Sequence, residues 1–109
     1  MRDDLGTVFA ALADPTRRQV VETLLREGET SVPVLTGRLP ISRQAVAKHL
    51  AALDEAGLLE RAPGRGREVR WALRPGALAP AASWVRDAEH AWDRRLSRLK
   101  ATLERREET

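Results

Sequence analysis

The stretch ISRQAVAKHLAALDEAGLLE, residues Ile41 to Glu60, decides how this chain folds. Ser42 precedes a helical pattern, where its hydroxyl can accept one of the N–H groups that a helix start leaves unpaired. Val46, Leu50 and Leu53 follow at i, i+4 and i+7, which puts all three on one buried stripe. Gly57 ends the helix. With that stripe turned inward, Arg43, Gln44, Ala47 and much of Lys48 point outward near the N-terminal end. His49 sits beside Leu50.

Just upstream, Pro40-Ile41 forms a tight turn. Before it, Ser31 caps a short helix that tolerates Pro33 in its first turn and faces Leu35 and Leu39 inward. Two helices joined by so short a turn make a helix-turn-helix unit over about residues 31–56. Downstream, the apolar period changes. Leu58 to Ala62 reads as a strand and Pro63-Gly64-Arg65-Gly66 as a turn. Val69, Trp71 and Leu73 then alternate with Arg70 and Ala72. Residues 58–73 are therefore a β-hairpin, placed as a wing.

Working outward to the two ends, Leu5, Val8, Phe9 and Leu12 have helical spacing. Asp14-Pro15 ends that helix and starts a second one, which carries Val20, Val21, Leu24 and Leu25 and stops near Gly28. Residues 75–80 are a connector with two prolines. One long helix follows over about residues 81–106, with the stripe Trp84, Val85, Ala88, Trp92, Leu96, Leu99 and Leu103. The expected fold is mainly α with a β-hairpin wing, one domain over residues 1–109.

Bulk properties narrow the function. A chain of 109 residues is one domain's worth, and its core is adequate rather than generous. The sequence has no cysteine, which excludes disulfides, thiolate metal sites and a thiol nucleophile. No run approaches a membrane span, and the first residues do not read as a signal peptide, so a cytoplasmic protein is expected. The net charge is +3. It is concentrated centrally: residues 41–74 hold seven basic and four acidic side chains, whereas residues 1–40 hold five and six. A basic middle third suits a polyanion.

The outward face of the fourth helix has the chemistry to read bases. Arg matches guanine O6 and N7, Gln matches adenine N6 and N7, and Ala47 allows close approach or contact with a thymine methyl. On an isolated helix these residues would be an ordinary solvated face; the tight turn and preceding helix make them a recognition surface. His49 reads as a structural residue or a phosphate contact. The wing carries Arg61, Arg65, Arg67 and Arg70; Arg65 and Arg67 at its tip suit phosphates or a minor groove, and the plainer reading is a basic turn kept soluble by its charge. Arg17 and Arg18 open the second helix and suit either the DNA backbone or plain helix surface. Gly64-Arg65-Gly66 is no nucleotide loop, because it joins two strands. No serine has the His and acid of a catalytic triad, Asp54 and Glu55 point apart, and no catalytic residue or cofactor is expected. Trp84 and Trp92 lie on one helical face and expose too much apolar area for a lone surface helix.

The segments LADPTRRQVVETL (Leu12 to Leu24), ISRQAVAKHLAALDEAGLLE and GREVRWAL (Gly66 to Leu73) resemble the ArsR-type winged-helix repressors. The tryptophan-bearing last helix resembles a branch of that family without a metal site. The resemblance implies a homodimeric DNA-binding regulator whose fourth helix reads the major groove through Ser42, Arg43, Gln44, Ala47, Lys48 and His49, with Arg65 and Arg67 on the wing. It also implies a dimer interface of Leu5, Val8, Phe9, Leu12, Trp84, Ala88, Trp92, Leu96, Leu99 and Leu103. Founding members bind metal through Cys-x-Cys on the third helix. Here that segment is Ser31-Val32-Pro33-Val34-Leu35, and Asp87, Glu89 and His90 on the last helix lack a second His, so no metal is expected. A protein-interaction module without specific DNA contact is the alternative, and a sensor gated by a small organic effector is a third reading.

Overall fold

The computed structural model describes residues 4–64 and 66–107. Five helices and one hairpin follow in the order α1 (Asp4–Leu12), α2 (Pro15–Glu27), α3 (Val32–Arg38), α4 (Arg43–Glu55), β1 (Leu59–Ala62), β2 (Arg70–Leu73) and α5 (Ala79–Glu107). The chain gathers into two units, one up to Leu78 and one from Ala79 onward.

Local chemistry sets the helix starts. Asp14, Ser31 and Ser42 each hold an extended backbone and accept the N–H three residues on, from Arg17 (3.0 Å), Val34 (3.4 Å) and Ala45 (3.1 Å). Helix α2 stops at Gly28, whose φ of 85° a side chain would make costly. The first unit closes around Val20, Val21, Leu24, Leu35, Val46, Leu50, Leu53, Leu58 and Leu59, all buried. Leu25, read from sequence as part of the α2 apolar set, is 61 % exposed. At about 100° per residue it lies beyond the inward arc that Thr23 and Val21 bound.

The hairpin is antiparallel, with Leu59 opposite Leu73 and Arg61 opposite Trp71. It is shorter than the sequence pattern. Leu58 and Val69 fall outside the strands, although the Leu58 carbonyl still accepts from the Arg74 N–H at 2.8 Å. Val69 faces solvent, so nothing draws it into the ladder. A third short piece joins the hairpin at Thr30, which bridges Trp71 in antiparallel fashion.

The second unit is one 29-residue helix, about 44 Å long at the usual rise. Pro80 falls in its first turn, where a missing N–H costs nothing. Trp84, Trp92, Leu96, Leu99 and Leu103 fall within one arc of this helix and are all exposed.

Candidate nucleic-acid interface

The position of α4 follows from its buried stripe. Val46, Leu50 and Leu53 are almost fully covered, which fixes the rotation of the helix. Ser42, Arg43, Gln44, Ala47 and Lys48 are consequently exposed together over its first two turns, while His49 is half-buried. Ser42 is occupied by its capping bond to Ala45. No acidic residue stands in the first turn of α4, so the positive end of the helix dipole is not neutralised there.

The wing is tied by backbone and by charge to the segment between α2 and α3. Thr30 and Trp71 exchange N–H to carbonyl bonds of 2.9 and 2.8 Å. Next to them, Arg70 Nε donates to Glu29 Oε1 at 2.7 Å, and Arg70 Nη1 reaches Glu68 at 3.3 Å. The turn itself needs a glycine, because a Cβ at Gly64 would collide with the Glu68 carbonyl oxygen. Arg67 is exposed on this wing. Arg65 lies outside the described residues. Arg43 and Arg67 line one open groove together with Val32, Pro33, Glu68 and Val69, so the start of α4 and the wing form a single surface.

Several basic side chains of the first unit have partners within it. Arg17 Nε donates to the Ala11 carbonyl at 2.6 Å, and Arg18 Nη1 to that of Leu12 at 2.7 Å. They satisfy carbonyls that the end of α1 leaves unpaired. The sequence left both open between DNA contact and helix surface; each is a cap for the preceding helix. Arg38 pairs with Glu27, Arg70 with Glu29 and Glu68, and Arg61 lies 5.5 Å from the Trp71 ring centre. Among the described residues, no carboxylate pairs with Arg43, Lys48 or Arg67. The wing roles of Arg61 and Arg70 were not legible from sequence, because the partners of Arg70 include a residue 41 positions away.

Other expected site residues are placed as follows. Val8 is buried within its own chain, Leu5 and Leu12 are half-buried, and Phe9 is exposed. Trp84, Ala88, Trp92, Leu96, Leu99 and Leu103 are exposed on α5. Among the described residues, no three His, Asp or Glu side chains gather as a metal site would need. No described helix is long and apolar enough to cross a membrane. Asp14, the α2 cap, has its pKa lowered, first by the Arg17 backbone N–H, then by that of Thr16 and the charges of His49 and Arg17, with partial burial opposing.

Comparison with known proteins agrees with this geometry. The family described as "Helix-turn-helix domain" matches residues 12–62. The chain is 40 % identical over 89 residues to an HTH-type transcriptional regulator of Mycobacterium tuberculosis, covering 82 % of this chain and 78 % of that one. It is 41 % identical over 68 residues to an arsenic resistance transcriptional regulator of Pseudomonas putida, covering 62 % and 52 %. Among solved structures it is similar to an ArsR-like transcriptional regulator from Rhodococcus sp. RHA1, with 42 % identity, a TM-score of 0.72, and coverage of 89 % and 90 %. With the fold, the exposed face of α4 and these likenesses in agreement, the chain belongs to the ArsR-type winged helix-turn-helix transcriptional regulators, which bind DNA and are not enzymes.

Proposed function

We propose that this protein is a metal-independent repressor that binds an inverted-repeat operator as a homodimer. Arg43 and Gln44 read base edges in the major groove, Ala47 permits the close approach, and Ser42, Lys48 and His49 contact or support the adjacent backbone. Arg67, with Arg65, holds the backbone or minor groove from the wing. The carrying observation is that Arg43 and Arg67 line one open groove and have no carboxylate partner among the described residues, while Arg17, Arg18, Arg38 and Arg70 are taken up by internal partners. An exposed, uncompensated cation at a helix start and another across a shared groove suit a polyanion better than a protein surface.

Dimerisation is supported by the exposed apolar arc of α5, with Trp92 58 % exposed and Leu99 55 % exposed. Contiguous apolar patches of this kind mark interaction surfaces. A two-fold dimer presents two copies of α4 about one DNA turn apart, which calls for a palindromic site. Repression then follows from occupying a promoter.

The test is selection of duplexes from a random-sequence pool, followed by binding titrations of the selected and a scrambled duplex at several salt concentrations. The expected product is an imperfect inverted repeat, bound with a steep salt dependence. Failure to enrich any sequence, with shallow salt dependence, would leave the protein-interaction reading in its place.

A further inference from the structure

The Glu29–Arg70–Glu68 cluster lies beside the surface already described, and its chemistry runs against that surface's purpose. Two carboxylates stand next to a face that meets DNA. By charge alone they repel phosphate, and removing either would strengthen binding. Their worth as salt bridges does not explain them, because Glu29 and Arg70 keep 41 % and 25 % of their side-chain surface exposed. Such exposed pairs contribute little to stability.

Their geometry explains them better. Arg70 opens β2, directly beyond the turn that carries Arg67. Its guanidinium is held at two separate nitrogens, Nε by Glu29 and Nη1 by Glu68. Glu29 lies between α2 and α3, next to Thr30, whose backbone bridges Trp71 beside Arg70. One carboxylate thus comes from the helical body and the other from the wing, and Arg70 joins them. The backbone bridge holds β2 at Trp71, one residue from the end where the turn begins, and the ion cluster holds the side chain next to it.

We propose that Glu29 and Arg70 are positioning residues for DNA binding: they set the wing so that Arg67 faces the same groove as Arg43, and Arg70 itself does not contact DNA. This rests on the reading of Arg67 as a wing contact. It assigns a carboxylate a favourable role in binding a polyanion, and that makes the sign of the effect diagnostic.

The experiment is a double-mutant cycle on the full chain, with Glu29→Gln, Arg67→Ala and both together. Each protein is titrated by fluorescence anisotropy against the pool-selected duplex, and thermal unfolding is recorded in parallel. Glu22→Gln, on the exposed face of α2, controls for the loss of one negative charge. Glu29→Gln is expected to weaken binding at least about threefold, with a thermal midpoint close to wild type, while Glu22→Gln leaves affinity unchanged or raised. Arg67→Ala is expected to cost at least about threefold less in the Glu29→Gln background than alone, because the contact it removes is already loosened. If Arg67→Ala weakens wild type but Glu29→Gln tightens binding, with the cost of Arg67→Ala unchanged, the positioning role is overturned and Arg70 is a phosphate contact that Glu29 restrains. If Arg67→Ala costs nothing in wild type, the wing reading fails and takes this inference with it.

Discussion

Thr30 and Trp71, 41 positions apart in sequence, exchange both of their backbone hydrogen bonds. This fastens the residue before the α3 cap to the second strand of the wing. Helix-turn-helix and hairpin therefore share one rigid junction, and the side chain of Thr30 is sealed inside it. Its hydroxyl oxygen has no hydrogen-bond partner among the described residues. A buried polar group in that position costs stability rather than adding it.

Thr30→Val should consequently be neutral or stabilising by up to about 1 kcal/mol, since it removes the unpaired hydroxyl at nearly constant volume and suits an extended backbone. Chemical denaturation of both proteins measures it. A loss of more than about 2 kcal/mol, the scale of a broken buried polar contact, would mean that the hydroxyl has a partner.

The two cations that line the shared groove should fail differently when truncated. Arg43→Ala is expected to cost about 1–3 kcal/mol on the selected duplex and to relax preference at particular base pairs. Arg67→Ala should weaken selected and scrambled duplexes evenly and lower the salt slope by about one unit. Anisotropy titrations across salt concentrations separate the two. If Arg43→Ala and Gln44→Ala both leave affinity and preference intact, α4 is not the reading element.

For the self-association surface the informative side chain is Trp92, which is 58 % exposed on α5. Trp92→Ala should weaken the dimer by about 2 kcal/mol or more, as expected for a large aromatic at an interface centre. Sedimentation equilibrium reads the change as a shift toward monomer. A wild-type protein that is monomeric at micromolar concentration would exclude the dimer altogether.

Acid stability should carry the signature of the α2 cap. The Asp14 pKa is lowered in the folded chain, chiefly because its carboxylate accepts the Arg17 N–H. The charged form is favoured by folding, so its contribution is present above the unfolded value near 3.8 and is lost as pH falls through the lower folded value. Asp14→Asn keeps an acceptor but no charge. Its thermal midpoint should fall below wild type at neutral pH and converge with it in acid. A difference independent of pH would locate the effect in something other than ionisation.

Metal should not control this regulator. Zinc, cadmium or arsenite are expected to change affinity for the selected duplex by less than about threefold, below the usual range of allosteric coupling. A stoichiometric site that releases DNA on metal binding would overturn this.

Features governed by short-range chemistry were legible before any tertiary contact was known. Asp14, Ser31 and Ser42 could be read as caps because a cap needs only its own side chain and an N–H three residues ahead. The inward stripe of Val46, Leu50 and Leu53 follows from helical period, and with it the outward placement of Arg43, Gln44, Ala47 and Lys48. The residue types around Trp71 marked a strand, but not its burial: all four residues of β2 are half-buried and Val69 is exposed outside it. Which cations have partners depends instead on how distant segments pack. Arg17, Arg18, Arg43, Arg67 and Arg70 look alike in the chain. Two of them reach back to the carbonyls that end α1, one is held by a carboxylate from the far side of the helix-turn-helix, and two are left facing the same groove. A guanidinium on a long flexible stem takes whatever acceptor the fold brings within reach, and that acceptor is set by how the segments pack rather than by its neighbours in sequence.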